Sequence, residues 1–289
     1  MYVLFVSKAG KGEMYKVIYL GYSEKMLQAL HESQTFEVVL VIGTKGRLSK
    51  KYYDLINQYN MRFIEIKNKK ELLDNIFLLE NADLTIMYKF EFIIPNEIAE
   101  KHLIINFHGG ELHKNRGAHA VVWSILLQES NTCLSCYRLS GGIDEGLLID
   151  AYYVDINKND NVSRLNEKLA EGIPKMLSSI EGYLLGVKKP ELITGGKYRR
   201  KIKKSDYTID LSNDAIDLMR AKILSQQAFD GAVIIINKKE YRIKKFEIFE
   251  DGLKRDLQVE ICERWVDVYR NGKGIRLFLE NDITILKTE

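Results

Sequence analysis

Residues Leu84–Phe107, which read LTIMYKFEFIIPNEIAEKHLIINF, decide the fold class. This stretch contains an apolar run at Leu84–Lys89, a helix candidate at Asn96–Lys101 and a second apolar run at Leu103–Phe107. A strand, a helix and a further strand in succession, with both strands rich in apolar residues, are typical of a parallel sheet that helices cover on both faces. The stretch therefore predicts an α/β fold.

The same alternation extends on both sides of this stretch. Further strand candidates are Met1–Ser7, Lys16–Leu20, Phe36–Gly43, Arg62–Ile66, Thr132–Leu139 and Leu148–Ile156. Further helix candidates are Ser23–His31, Ser49–Tyr59, Lys70–Glu80, Ala118–Glu129 and a long helix near Arg164–Leu185. The pattern predicts a Rossmann-like, mainly parallel sheet, and it leaves open which of the first two β runs begins that sheet.

The pattern changes near residue 190. Thr194–Lys204 is a basic, glycine-bearing segment, and one helix candidate at Asn213–Ser225 follows it. The remaining β runs are Gly231–Asn237, Tyr241–Phe249, Leu257–Tyr269, Ile275–Glu280 and Ile283–Leu286, with a hairpin signal at Asn271-Gly272. We expect an N-terminal α/β domain at 1–190, a basic linker at 191–205 and a small β-rich C-terminal domain at 206–289.

Composition excludes several classes of protein. The chain has 289 residues, of which 46% are hydrophobic and 29% are charged, and this balance is typical of a globular protein with a full core. Its three cysteines, and the lack of a basic stretch before the first apolar run, predict a reducing, cytoplasmic location. A net charge of +3 is small for a dedicated nucleic-acid binder, but it neither demands nor excludes a polyanionic partner. No apolar run is long enough to span a membrane.

Asn106 and His108 are the first candidates for chemistry. They come at the end of the apolar run Leu103–Phe107, and the carboxyl ends of strands are where open α/β sheets bind ligands. Residues two apart in a strand project to the same side, so this amide and imidazole could both donate hydrogen bonds to one developing oxyanion. The pair is also consistent with a polar strand end whose partners are neighbouring backbone groups.

Two glycine-bearing loops follow this strand. Residues 109–117 read GGELHKNRG, and such a loop before a helix suits either a phosphate group or a plain connection. Asp144 lies between glycines in SGGIDEG (140–146), where it either faces His108 or closes a turn through an Asx bond. Cys133 and Cys136 have CxxC spacing, but a strand places them on opposite faces, so no joint metal site is expected.

Taken together, the order of these motifs resembles the folate-dependent formyltransferase family, which includes glycinamide ribonucleotide, methionyl-tRNA and sugar-nucleotide formyltransferases. Asn106-Phe-His108 matches the family's Asn-x-His motif, Arg116-Gly117 its Arg-Gly loop, and Asp144 its distant Asp. The aromatic segment Tyr88–Pro95 resembles the family's pterin-pocket loop. The resemblance therefore implies an α/β catalytic domain that transfers a formyl group to a primary amine.

The resemblance also implies a set of site residues. Asn106 and protonated His108 would stabilise the oxyanion, while Asp144 would hold His108 and accept the proton of the amine. Contacts to the co-substrate, N10-formyltetrahydrofolate, are implied for Tyr88, Phe90, Phe92, Ile93, Ile94, Gly142 and Ile143. Contacts to the acceptor are implied for Gly109, Gly110, Lys114, Asn115 and Arg116, and no metal is expected. This chain departs from the family pattern at Gly110 and Glu145.

The resemblance also implies which chemical class of acceptor carries the amine. The segments Tyr88–Ile94 and Asn115–Ala118 look most like the sugar-nucleotide members, which implies a dTDP- or UDP-linked amino deoxysugar for lipopolysaccharide O-antigen biosynthesis. A methionyl-tRNA formyltransferase and a formyltetrahydrofolate hydrolase are the alternatives. Sugar-nucleotide members often pair through their C-terminal regions, so the expected assembly is a homodimer that binds neither nucleic acid nor membranes.

Overall fold

The computed structural model describes residues 13–140, 142, 144–193, 195–253 and 255–281. Their helices are α1 (Glu24–His31), α2 (Lys50–Gln58), α3 (Lys69–Asp74), a 3-10 helix (Ile76–Asn81), α4 (Asn96–Lys101), α5 (Ala120–Leu126), α6 (Val162–Ala170), α7 (Ile173–Leu184), α8 (Lys204–Tyr207) and α9 (Ile216–Gln226). In this part of the chain, no helix has both the length and the apolar character needed to cross a membrane.

In the part of the chain that the structure describes, the strands fall into three sheets. They are β1 (Tyr15–Gly21), β2 (Phe36–Thr44), β3 (Phe63–Ile66), β4 (Leu84–Tyr88), β5 (Ile104–His108), β6 (Arg116–Gly117), β7 (Asn131–Leu139), β8 (Gly146–Asp155), β9 (Glu191–Ile193), β10 (Tyr198–Arg199), β11 (Ala232–Ile236), β12 (Lys239–Glu250), β13 (Gln258–Ile261), β14 (Trp265–Arg270) and β15 (Lys273–Leu279).

The main sheet has the order β3-β2-β1-β4-β5-β7-β8-β9. It is parallel from β3 to β5 and becomes antiparallel where β7 joins β5. The chain runs outward from β1 to β3 and then returns to place β4 on the other side of β1, which creates a switch point between β1 and β4. The crevice at such a point opens at the carboxyl ends of the strands. The predicted α/β class with a mainly parallel sheet is confirmed.

The central strands are buried on both faces. In β1, the side chains of Val17, Ile18, Tyr19 and Leu20 are all fully buried. A parallel strand that is covered on both faces needs a continuous apolar run instead of alternation, and this is the pattern of its sequence. Helix α1 starts directly after this strand because the Ser23 hydroxyl accepts a hydrogen bond from the Met26 amide and caps the helix.

The C-terminal strands form a second sheet in the order β11-β12-β15-β14-β13, and each neighbouring pair is antiparallel. Helix α9 packs against this sheet and also against α5, so α9 is buried almost all round. The predicted β-rich C-terminal part is confirmed.

The chain forms two compact units that alternate along the sequence. Among the described residues, one comprises 13–117, 133–154 and 168–198, and the other comprises 118–132, 155–167 and 199–281. Each unit therefore draws on several separate segments. The predicted division at 191–205 stays a prediction about the folding domains.

Two predicted elements are each divided in the structure. The helix expected near Arg164–Leu185 is two helices, α6 and α7, because Pro174 lies in the first turn of α7 and cannot continue a helix from before it. The run Leu257–Tyr269 is two antiparallel strands, whose turn is closed by the Cys262 amide donating to the Trp265 carbonyl at 2.9 Å. A hydrophobic run alone does not show where such a hairpin turns.

A third predicted element also changes at its end. The helix expected at Lys70–Glu80 is α3 followed by a 3-10 helix, and the Asn75 side chain bonds the Glu71 carbonyl where they meet. The β runs predicted at Met1–Ser7 and Ile283–Leu286 lie outside the described residues.

Gly21 keeps β1 and β4 close together at the switch point. Its φ is +151°, and a Cβ atom there would lie 1.9 Å from the Tyr88 carbonyl oxygen. We expect Gly21→Ala to lower the free energy of unfolding by about 1–2 kcal/mol for the backbone conformation. Crowding adds about 1–3 kcal/mol to this loss. Urea denaturation measures the sum.

Gly46→Ala is the matched control, because Gly46 also has a positive φ (+80°), but a Cβ atom there would meet open space, with nothing beyond its chain neighbours within 4 Å. Gly46→Ala should lower the free energy of unfolding only by the part that comes from the backbone conformation. Equal losses in both variants would contradict the idea that close approach of β1 and β4 is what requires glycine at residue 21.

Candidate active site

Strand β5 places Asn106 and His108 at the carboxyl edge of the main sheet. Asn106 pairs with Met87 of β4 on one side and with Tyr137 of β7 on the other. His108 is buried and Asn106 is half-buried. The two candidate donors thus lie at the predicted edge of the sheet, separated by one residue along the same strand.

Asp144 lies in the loop between β7 and β8 and reaches the same edge. Its backbone has φ of +50°, a left-handed conformation that Asp tolerates better than most residues. Its Oδ1 accepts a hydrogen bond from the Tyr137 hydroxyl at 2.6 Å, and its Oδ2 accepts one from the Gly117 amide at 2.7 Å. Oδ2 also lies 3.5 Å from Nδ1 of His108. The predicted meeting of Asp144 with His108 is therefore present in the structure.

The backbone of Asn115 sets the orientation of the His108 ring. Nε2 of His108 lies 2.6 Å from the Asn115 carbonyl, which can only accept, so Nε2 carries a proton. Nδ1 then faces the Asp144 carboxylate at a longer distance than either hydrogen bond that Asp144 accepts. Asp144 was expected to hold His108, but the shorter contact of the ring is to the backbone.

Tyr137 is a member of this cluster that none of the predicted motifs includes. It is fully buried, and its hydroxyl lies 2.6 Å from Nδ2 of Asn106 and 2.6 Å from Oδ1 of Asp144. Burial, and then the charge of Asp144, raise the pKa of the Tyr137 hydroxyl well above its ordinary value, so it stays protonated. The only sequence signal is a tyrosine within the apolar strand next to β5.

This arrangement can stabilise negative charge and accept a proton. Asn106 and His108 offer N–H donors at one edge, and Asp144 offers a carboxylate beside them. Donors that are fixed before the reaction stabilise a developing oxyanion, and a carboxylate within hydrogen-bond reach can act as a general base. Burial strengthens these interactions, because few water molecules screen them.

The predicted folate segment follows β4, the strand beside Asn106. Phe90 and Phe92 are partly exposed and meet edge to face, with ring centroids 5.6 Å apart. Ile93 is largely exposed, whereas Tyr88 and Ile94 are buried in the core. Of the predicted residues in the Asp144 loop, the Gly142 carbonyl accepts from the Glu145 amide at 3.4 Å, and Ile143 lies outside the described residues. Folate contacts of these residues stay a prediction.

The predicted acceptor-binding loop is held mainly by contacts within the protein. The Gly110 carbonyl accepts a hydrogen bond from the Ser135 hydroxyl at 2.8 Å, and Gly109 is half-buried. Lys114 is exposed and pairs with Glu111 at 2.7 Å. The Asn115 side chain is buried. The acceptor contacts of this loop stay a prediction.

Arg116, the last predicted acceptor contact, is buried and forms an ion pair with Glu145. One of its terminal nitrogens also donates to the Gly196 carbonyl at 3.2 Å. Since Glu145 follows Asp144 directly, this ion pair fixes the loop that carries the carboxylate. Glu145 is one of the departures from the family pattern, and its contact to Arg116 gives it a structural role.

Cys133 and Cys136 are both buried free thiols, and burial raises the pKa of Cys136 to about 12. Among the residues that the structure describes, no group of three or more His, Cys, Asp or Glu side chains is placed to hold a metal ion.

A family model described as formyl transferase matches residues 20–180, more than half of the chain. Curated relatives include two methionyl-tRNA formyltransferases. The one from Prochlorococcus marinus strain MIT 9515 is 29% identical over 300 residues, covering 95% of this chain and 89% of the relative. The one from Ehrlichia canis strain Jake is 27% identical over 264 residues, covering 84% of each chain.

Solved structures with the same fold include WlaRD, a sugar 3N-formyl transferase in the presence of dTDP and 5-N-formyl-THF. It has a TM-score of 0.65 at 18% identity, covering 94% of this chain and 100% of its own. The N-formyltransferase from Helicobacter canadensis, in complex with folinic acid and dTDP-3-aminofucose, has a TM-score of 0.68 at 17% identity. The match covers 92% of this chain and 100% of that enzyme. HypX from Aquifex aeolicus, in complex with tetrahydrofolic acid, has a TM-score of 0.65 at 17% sequence identity, covering 92% of this chain and 44% of its own.

The ion pair between Arg116 and Glu145 gives a test of how the loop is held. The Arg116 side chain is 9% exposed, so Glu145→Ala leaves a buried guanidinium without its carboxylate. We expect a loss of about 1–3 kcal/mol in the free energy of unfolding, below the usual range for fully buried pairs because Glu145 is 40% exposed. Urea denaturation provides the measurement.

Glu240→Ala is the control, because Glu240 is similarly exposed (43%) but pairs with Lys204, which is 49% exposed. Here the loss should stay under about 1 kcal/mol. If the two variants lose the same stability, burial of Arg116 is not what makes the first ion pair important.

Proposed function

The chain belongs to the formyl transferase family, and from this premise we propose that it transfers a formyl group from N10-formyltetrahydrofolate to the primary amine of a nucleotide-linked amino deoxysugar. The convergence of Asn106, His108 and Asp144 at one edge of the sheet carries this proposal. The family that the order of the sequence motifs resembles, these three residues among them, is the family that the chain matches.

The residues next to Asn106 fit a reduced pterin. Asn106 lies in register with Met87, and β4 leads directly into the segment with the partly exposed Phe90 and Phe92 rings. A flat heterocycle is well bound by such apolar and aromatic surfaces beside a few polar groups. When it is bound there, N10-formyltetrahydrofolate supplies an activated formyl carbon.

The chain's own residues then have distinct roles. Asn106 Nδ2 and protonated Nδ1 of His108 donate to the formyl oxygen as its negative charge grows, and each such donor typically contributes about 10²–10³ in rate. As the amine nitrogen bonds to the formyl carbon, Asp144 accepts the proton that this nitrogen loses, directly or through one water molecule. The bond from the formyl carbon to N10 then breaks, and N10 takes up a proton as tetrahydrofolate leaves. The second hydrogen-bond donor to Asp144, the Gly117 amide, keeps Oδ2 close to His108.

Two observations support a sugar-nucleotide acceptor. The sugar N-formyltransferase WlaRD and the Helicobacter canadensis enzyme match this chain over their whole length. In addition, at least two of the six cations of the basic segment have acidic partners: Arg200 forms two hydrogen bonds with Asp206, each 2.7 Å, and Lys204 pairs with Glu240. Cations that are neutralised within the protein contribute less to binding an RNA backbone.

Methionyl-tRNA is the second candidate acceptor. It is favoured by the curated relatives, which are methionyl-tRNA formyltransferases and match most of this chain. It would use the same three residues for formyl transfer, because the chemistry at the amine is the same. The two candidates differ in what carries the amine, a nucleoside diphosphate sugar or an RNA.

We further propose the setting that a sugar-nucleotide acceptor implies. The formylated sugar would serve lipopolysaccharide O-antigen synthesis in the cytoplasm, and the enzyme would act as a homodimer. Light scattering of the purified protein tests the assembly, since a dimer has twice the 33.5 kDa mass of one chain.

An acceptor panel tests the proposed function. The purified protein is incubated with N10-formyltetrahydrofolate and, separately, with dTDP- and UDP-linked amino sugars, methionyl-tRNA or no acceptor, and formylated products are quantified by mass spectrometry. We expect turnover with an amino-sugar nucleotide. Transfer to methionyl-tRNA alone would replace the proposed acceptor with the second candidate, and formate released without acceptor would indicate the hydrolase.

Substitution of the three residues tests the mechanism. Asn106→Ala, His108→Ala and Asp144→Ala should each keep the fold, shown by circular dichroism, and lose about 10²–10³ in kcat/KM because a donor or the base is missing. His31→Ala is the control: His31 ends α1 at the opposite edge of the sheet, where its ring stacks on Tyr59. Near-normal turnover in two of the three variants would overturn the assignment.

A further inference from the structure

Tyr137 contacts both Asn106 and Asp144 in the candidate active site. Its ring is fully buried in β7, opposite Asn106 of β5. Its hydroxyl oxygen is 2.6 Å from Asn106 Nδ2 and 2.6 Å from Asp144 Oδ1. One oxygen atom therefore bridges the amide donor and the carboxylate.

The direction of both hydrogen bonds follows from the protons available. A phenolic hydroxyl has one proton, and the Asp144 carboxylate can only accept, so Tyr137 donates to Asp144. The Tyr137 oxygen must then accept from Asn106, which means that the amide nitrogen faces the tyrosine and not the amide oxygen. The charge of Asp144 thereby decides which way the Asn106 amide is turned.

The orientation of this amide matters for its chemistry. Nδ2 carries two protons in a fixed plane, and Tyr137 accepts one of them. The second proton is left at a defined angle, whereas a reversed amide would present a carbonyl oxygen and repel negative charge. A donor that needs no reorientation during the reaction stabilises an oxyanion better than a mobile one.

We propose that Tyr137 is a positioning residue. Because its hydroxyl donates to Asp144, it can only accept from Asn106, and this contact holds the Asn106 amide ready to donate. This inference rests on the proposed formyl transfer and adds to it a specific role for a residue outside the three catalytic side chains. His108 does not depend on this link, since the Asn115 carbonyl orients it. The two donors are thus fixed by separate partners.

Tyr137→Phe removes one oxygen atom and keeps the buried ring. We expect kcat to fall about 10- to 100-fold, because the Asn106 amide can then turn away from its donating orientation, while KM for both substrates stays within about twofold. Tyr15→Phe is the control, since Tyr15 is also buried in the main sheet and its hydroxyl has no hydrogen-bond partner among the described residues. That variant should keep wild-type kcat and stability.

A double-mutant cycle separates positioning from a purely structural role. If Tyr137 acts through Asn106, then Tyr137→Phe should cost less than about threefold once Asn106 is already Ala, because there is no amide left to orient. Losses that multiply in the double variant would overturn the proposal. So would wild-type kcat in Tyr137→Phe, or loss of its fold by circular dichroism, which would make the hydroxyl a structural group only.

Failure of this inference can be told apart from failure of the proposed function. Wild-type protein that formylates no acceptor in the panel would remove the function, and the inference with it. Wild-type activity combined with multiplying losses would remove the role of Tyr137 alone and leave formyl transfer by Asn106, His108 and Asp144 in place.

Discussion

The Asp144 carboxylate is the constraint on which the rest of the site depends. It accepts hydrogen bonds from the Gly117 amide and the Tyr137 hydroxyl, and it lies beside His108. These three partners belong to different parts of the chain, so the carboxylate joins the short strand β6, strand β7 and the end of strand β5. The Asp144 side chain is only 14% exposed. A charge so largely removed from water needs such donors around it, and here the same donors also organise the site.

One backbone group and one side-chain group orient the two donors of the site, His108 and Asn106. A carbonyl oxygen, that of Asn115, fixes the His108 ring, while a hydroxyl, that of Tyr137, meets the Asn106 amide. The segment that supplies this carbonyl is in turn attached by Arg116, whose amide donates to the Lys197 carbonyl at 3.1 Å. The loop predicted to touch the acceptor is thus also part of the framework of the site.

Much of the fold could be predicted from the sequence. The alternation of apolar runs and helices indicated the parallel sheet because buried parallel strands require continuous apolar side chains. Asn106 and His108 could be identified because polar residues at the end of such a strand face the crevice. Breaks within long runs, such as the one at Pro174, were missed where the apolar pattern continues across the break.

The missed parts of the site depend on long-range pairing. The glycines around Asp144 left two readings open, a contact to His108 or an Asx turn, and only the family resemblance favoured the contact, since loop conformation is not encoded in a short spacing. Tyr137 meets Asn106 because β7 runs antiparallel to β5 in one particular register, and one sequence does not reveal register.

The way the chain alternates between its compact units has a consequence for how such a protein can evolve. Helix α5 packs against α9 within one unit, although a stretch of the other unit lies between them in sequence. A single recombination event between related genes would bring in α9 without the α5 surface that it covers. Exchange of the C-terminal part between relatives therefore requires matched changes in at least two separate segments, which favours gradual divergence over modular shuffling.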